Sequence, residues 1–382
     1  MPCASSSMRS LCVLFIVVLA CAGIVTKINT KSPARTGVAH LLTERDPPAG
    51  FATARRPRTF EFPADHSAHP RFRSEWWYFT GNTTSTTGKA FGFQVTIFRF
   101  ALSPQRSESR SKWRRSSIYL GHFAISDIDA GIFHHFERRG RPALDLAGTR
   151  DNPLRIWIRD WAIELTDPDT ESWRITAREA GVGLNLTLRA QRPVTPQGDR
   201  GLSTKSAQAG NASYYYSIPR LAAVGTIETP GAVHHIRGNA WFDHEWSTSA
   251  LAEGQLGWDW FSLQLDDGSD LMLYQIRNRN HIDPASHGLL LQANGVRTEV
   301  DSQAIQLTVE RHWRSPASGV RYPARWRLTI PEHDAVLTVT PRFPDQEWRK
   351  SFTYWEGAVE VSGVARGRTV TGTGYVELVG YE

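Results

Sequence analysis

The chain is poor in the residues that would point to several common chemistries. Three cysteines occur in 382 residues, and Cys3, Cys12 and Cys21 all fall in the first 21 positions. The remainder can build neither a disulfide framework nor a cysteine metal site. Lysine is scarce, at six of 44 basic residues, and no run of five or more basic residues appears. The formal net charge of +6 is spread along the chain, so no dedicated nucleic-acid surface is expected. GxGxxG and GxxxxGK[ST] loops are missing, which excludes the usual nucleotide cofactors, and no cofactor is expected. GxSxG is missing too, so the usual mark of Ser-His-Asp hydrolysis is lacking. Few stretches hold helical spacing for three turns.

What is present is aromatic and β-patterned. Hydrophobic residues make up 40% and charged residues 21%, the balance of a globular protein long enough for two cores. From Phe60 onward, segments such as FGFQVTIFRF, SIYLGHFAISDI, LRIWIRDWAIELT and LMLYQIRN alternate apolar and polar residues between turn formers. The expected fold class is all-β, with the strand spacing of sandwiches or barrels. Residues 196–212, PQGDRGLSTKSAQAGNA, read as a polar loop. His134-His135 reads as a solvent-facing hairpin turn, and His122 as a satisfied core or rim histidine.

The N-terminus has the parts of an export signal. Arg9 precedes the apolar run LCVLFIVVLACAGIV, which is short for a stable transmembrane helix. Val18-Leu19-Ala20-Cys21 resembles a lipobox, so residues 1–21 read as a lipoprotein signal and Cys21 as the lipidated residue. Cleavage after Ala22, or retention of the segment as an anchor, fits the same residues. Residues 22–58 read as a polar tether to a body on the periplasmic side of a membrane.

The richest stretch runs from His234 to Asp267, HHIRGNAWFDHEW through GWDWFSLQLDD, with Trp241, Trp246, Trp258 and Trp260 interleaved with Asp243, His244, Glu245, Asp259, Asp266 and Asp267. On a strand, Trp241, Asp243 and Glu245 share one face, and Phe242, His244 and Trp246 the other. Neither face is cleanly apolar. A carboxylate among tryptophans suits a site for a large apolar molecule, with an ionisable group at reduced polarity. Strand-end packing and pairing with arginines account for the same residues without any function. The histidines form no HxH and no helical HxxxH, so no metal is expected. A short echo links EWWYFTGN…FGFQVTIFR, with Gln94 and Arg99, to GWDWFSLQLDDGSD–LMLYQIR, with Gln275 and Arg277. Two copies of one barrel unit would produce it. The boundary falls in STSALAEGQL, giving domains over 59–248 and 255–382.

EWWYFTGN, GNAWFDHEW and GWDWFSLQLDDG…LMLYQIR resemble the signature segments of the AttH-like / carotenoid 1,2-hydratase family of tandem lipocalin-like proteins. The resemblance covers about Phe60 to Glu382. It implies two lipocalin-like barrels, an apolar ligand cavity and, in some members, cofactor-free hydration of isoprenoid double bonds. It also implies a second class of exported proteins encoded beside ABC-transporter permeases, for which binding or delivery of a lipid-like molecule is the alternative role. Hydration of an isolated double bond needs an acid held protonated near neutrality, and ring faces that stabilise a cation. Asp243 is the first candidate acid and Asp259 the second, with His244 and Glu245 beside them. Trp76, Trp77, Tyr78, Trp241, Trp246, Trp258, Trp260 and Tyr274 are the candidate ligand-lining residues.

Overall fold

The computed structural model describes residues 49–104, 117–248, 251–301 and 304–381. The export signal, Cys21 and the tether up to residue 48 lie outside them. The described chain is almost wholly antiparallel β, in two barrel-like sheets of 13 and 10 strands. Two single-turn 3₁₀ helices are the only helical elements among the described residues. This is the two-barrel architecture that alternation and tryptophan-led hairpins predict, in the lipocalin-like form that the family resemblance implies.

Nine strands position the site. In the first barrel these are β1 (Ser74–Ser85), β2 (Ala90–Ala101), β3 (Ser117–Asp127), β4 (Ala212–Thr229) and β5 (Ala232–Ser247). In the second they are β6 (Gln255–Leu265), β7 (Asp270–Asn278), β8 (Thr353–Ala365) and β9 (Arg368–Val379). The first sheet runs β3-β2-β1-β5-β4 through this region, and the second runs β7-β6-β9-β8 with His287–Leu291 beside β7. The two orders match strand for strand, so the echo between the two hairpins extends to topology. The segment 196–212 carries the three-residue strand Leu202–Thr204 laid against β4, and the two-residue strand Thr195–Pro196 at its start pairs with β4 as well. His134 and His135 sit within the strand Ile132–Gly140 rather than in a turn, because the hairpin closes earlier, at Ile128–Gly131.

Alternation assigns each barrel two faces. Trp77, Phe79, Phe242 and Trp246 point into the first barrel, with Trp161, Trp173 and some thirty aliphatic and aromatic neighbours. Phe261, Leu263, Trp326 and Trp355 fill the second. The opposite faces of β1, β2 and β5 meet those of β6, β7, β8 and β9, where Tyr78, Tyr215, Trp241, Trp260, Met272, Tyr274, Ala358 and Tyr375 form a third buried cluster. Close approach there requires Gly92, since a Cβ on it would come within 2.6 Å of the Tyr375 hydroxyl and 2.8 Å of Ala358. Gln264 ties the sheets further, donating to the carbonyls of Pro219 (2.7 Å) and Ala240 (2.9 Å).

Candidate active site between the barrels

The parity of β5 divides the WFDHEW segment between two environments. Asp243 leaves the first barrel toward the second, 4% exposed. Its Oδ1 accepts from the Ser217 hydroxyl (2.5 Å) and the Trp241 indole (2.7 Å), and its Oδ2 from the Tyr215 hydroxyl (2.7 Å). Burial drives its carboxyl up, the three donors recover part of that, and the result is a pKa of about 7. Tyr215 in turn accepts from the Trp260 indole of the second barrel at 3.1 Å. When Asp243 is neutral, its Oδ2 proton can be donated to Tyr215, which frees the phenolic proton. Glu245, on the same face, pairs with Lys205 at 2.9 Å, and that ammonium sits 4.2 Å from the centre of the Tyr274 ring.

The second barrel contributes two carboxyls of its own. Glu377 on β9 lies opposite Trp260 and Glu356, as Asp243 on β5 lies opposite Tyr78 and Ser217. The repeat therefore places Glu377 where Asp243 stands in the other copy. Burial raises its pKa to about 7, although the Trp258 indole donates to it at 2.7 Å. Glu356, fully buried, has neither oxygen in a close hydrogen bond among the described residues, and the Tyr78 and Tyr354 hydroxyls are its polar neighbours. Burial and the neighbouring Glu377 push its carboxyl well above the usual range, and those two hydroxyls offset only part of that. The Tyr78 hydroxyl beside it is likewise buried without a close hydrogen bond and faces that carboxyl.

The structure brings together Trp76, Tyr78, Trp241, Trp258, Trp260 and Tyr274 around Asp243 and Glu245. Tyr78 meets Trp260 edge-on at 5.2 Å, and Trp241 meets it edge-on at 6.3 Å. Trp76 and Trp258 are only half-buried at the rim.

Trp77, His244 and Trp246 are elsewhere, inside the first barrel. There His244 Nε2 meets Glu75 (3.0 Å), which also holds His69 (2.7 Å) and Arg99 (2.8 Å). Burial lowers the His244 pKa to about 4, so its ring is neutral. His69, Glu75 and His244 are close enough together to hold a metal ion, yet Arg99 and both imidazoles already occupy the Glu75 oxygens. An ion there would have to displace those hydrogen bonds.

Asp259, expected as a second acid beside Asp243, shares the inward face of Phe261 instead. It lies one residue out of phase with Trp258 and Trp260, and it pairs with Arg277 (2.8 Å) and the Tyr381 hydroxyl (3.0 Å). An open cleft of about 710 Å³ lies on another flank, lined by Asp199, Arg200, His287, Arg297 and Glu299. Asp243, Glu356 and Glu377 do not border it.

Sequence reasoning passed over Tyr215, Ser217, Tyr354, Glu356, Tyr375 and Glu377. The signal for Glu377 is in GTGYVELVGY, where Tyr375-Val376-Glu377 repeats the aromatic-apolar-acid order of Trp241-Phe242-Asp243.

Known proteins give this geometry a setting. A curated kievitone hydratase from Fusarium solani subsp. phaseoli is 23% identical over 235 residues, covering 59% of this chain and 65% of the relative. The match thus spans a little under two thirds of that enzyme's length. The crystal structure of kievitone hydratase from Nectria haematococca superposes with a TM-score of 0.65 at 17% identity, covering 88% of this chain and 98% of that one, and so shares the fold. A crystal structure described as an AttH from Nitrosomonas europaea has a TM-score of 0.76 at 33% identity, covering 87% of this chain and 99% of the other. The AttH-like family model matches residues 53–381, and the chain belongs to the AttH-like family.

Proposed function

We propose that the chain adds water to, or removes it from, a carbon–carbon double bond of an apolar, isoprenoid-like molecule held between the two barrels, without a cofactor. The observation that carries this reading is Asp243, a buried carboxyl with three neutral donors and, among the described residues, no hydrogen-bonded cation, poised near neutrality. Such a group can deliver a proton to a double bond at pH 7, as an ordinary surface aspartate cannot. The carbocation that results is stabilised by indole and phenol faces, and Trp241, Trp260 and Tyr78 supply them. Likeness to kievitone hydratase supports the same class of reaction. Asp243→Asn keeps size and most hydrogen bonding while removing the transferable proton. Turnover of an isoprenoid alkene should fall by about two to four orders of magnitude with little change in ligand affinity. Unchanged function in Asp243→Asn, together with loss in Trp241→Ala, would instead favour a carrier.

The N-terminal residues support an exported, lipid-anchored protein, and a binding or delivery role beside an ABC-transporter permease is the second reading they favour. Acylation at Cys21 makes membrane attachment depend on that one sulfur. Cys21→Ser should move the protein from the membrane to the soluble fraction on cell fractionation. A Ser variant that stays with the membrane would point to a retained anchor.

A further inference from the structure

Two neighbouring side chains in the inter-barrel cluster lack the close hydrogen bonds that buried polar groups normally make. Glu356 and the Tyr78 hydroxyl face each other without a close hydrogen bond, with the Tyr354 hydroxyl as a further polar neighbour of Glu356, in a region where Asp243, Glu377 and Tyr354 all make close hydrogen bonds. Leaving a buried donor or acceptor unpaired is costly, so an orphaned pair on a shared surface marks a place where a polar atom belongs. Glu356 also lies directly opposite Glu377 in the β8–β9 register. Two ionised carboxylates at that spacing repel, so the pair holds at least one proton. Tyr78 is the hinge between the two sets of acids. It stands opposite Asp243 on β5, feels the charges of Glu356 and Glu377, and packs edge-on against Trp260.

We propose that Glu356 and Tyr78 form a hydroxyl subsite, which holds the oxygen atom that is added or lost while Asp243, from the other barrel, handles the proton on carbon. The inference rests on the reading above, and it names the substrate class as an apolar alcohol paired with its dehydrated alkene. In dehydration, the Glu356 carboxyl gives its proton to the alcohol oxygen. The C–O bond then breaks and water leaves with that electron pair. The Asp243 carboxylate takes a proton from the adjacent carbon, and the C–H electron pair becomes the new π bond. Hydration runs through the same atoms in reverse, from protonated Asp243 and ionised Glu356. Exchange of one proton between the two acids resets the site. The repeat itself makes the division of labour intelligible. Position for position, Glu356 in the second barrel stands where Ser217 stands in the first. One copy keeps a small donor that steadies Asp243, and the other carries an acid with nothing to steady.

Calorimetric titration of the intact protein with linalool and with myrcene, its dehydrated counterpart of the same skeleton, tests the subsite directly. The alcohol should bind about tenfold more tightly than the hydrocarbon, the gain expected from satisfying buried polar groups. Glu356→Met should bring the two affinities together and Tyr78→Phe should narrow the gap, whereas Asp243→Asn should leave it open. Glu356→Gln, which can still hydrogen-bond a hydroxyl, should retain the preference. If Glu356→Met does not fold, the Tyr78→Phe titration gives the same reading. Equal affinities in the parent protein would overturn the subsite, as would a preference that survives Glu356→Met, and either result leaves the case for Asp243 standing. Failure of both probes to bind would overturn the subsite together with the apolar-ligand reading.

Discussion

Asp243 and Glu75 are buried carboxylates on adjacent strands of the same barrel, and they have opposite characters. Glu75 is fully buried, yet Arg99 and His69, with a hydrogen bond from His244, outweigh burial and hold it well below the usual carboxylate range. Asp243 is buried almost as deeply, but its partners are a phenol, an alcohol and an indole, and its pKa stands at about 7. Burial alone therefore does not make an acid catalyst. What decides is whether the donors that come with burial carry charge. Glu75 and Arg99 are cross-strand neighbours in the β1–β2 register, a pair that staples the barrel end. Asp243, one strand over and facing out, is surrounded by groups that orient it without fixing its ionisation.

The contrast can be broken from the Glu75 side. Arg99→Met removes the only arginine hydrogen-bonded to that carboxylate among the described residues, leaving a buried charge incompletely compensated. A stability loss of about 3–5 kcal/mol is expected in denaturant unfolding. A loss near zero would mean that the two imidazoles suffice. Near neutral pH, the corresponding change at Asp243 should cost no stability, because an asparagine amide can fill the neutral form's hydrogen bonds to Ser217, Trp241 and Tyr215.

The pH dependence sharpens the comparison with a smaller effect. A carboxyl whose pKa is raised in the folded state binds its proton more tightly there than in the unfolded chain. Its stabilisation is thus present at low pH and lost as pH rises from about 4 toward 7. Asp243 and Glu377, each at about 7, should both contribute to this decline. Glu75 has the opposite sign, with its contribution lost as pH falls below the ordinary carboxylate range. In thermal unfolding across pH 4 to 8, Asp243→Asn should flatten the decline between about pH 4 and 7 and be more stable than the parent at pH 8. A parallel, unflattened profile would show that Asp243 ionises normally.

Much of this arrangement is legible in the sequence. Period-two alternation gives the all-β class, and the two tryptophan-led hairpins give the duplicated unit. The parity of WFDHEW separates Asp243 and Trp241 from His244 and Trp246. The same rule puts Asp259 on the opposite face from the tryptophans that flank it, so adjacency in GWDWF is a poorer guide than phase. Sequence does not say which face is a barrel interior and which meets another barrel. That is why Trp77 and Trp246 look equivalent to Trp76 and Trp241. Glu356 and Glu377 are harder still. An isolated glutamate in an alternating strand looks solvent-facing until the register sets the two opposite each other against a second sheet. Lys205, in a polar segment, gives no sign that it reaches Glu245, because only the fold of residues 196–212 along β4 brings it there.

The proposed chemistry requires Asp243, buried among neutral donors, to hold its proton up to about pH 7. Carboxyl-selective ¹³C NMR titration of the intact protein, compared with Asp243→Asn, reads that proton directly. A resonance that titrates near pH 7 in the parent and is missing in the variant is expected. An Asp243 resonance that completes its titration below pH 5 would contradict it.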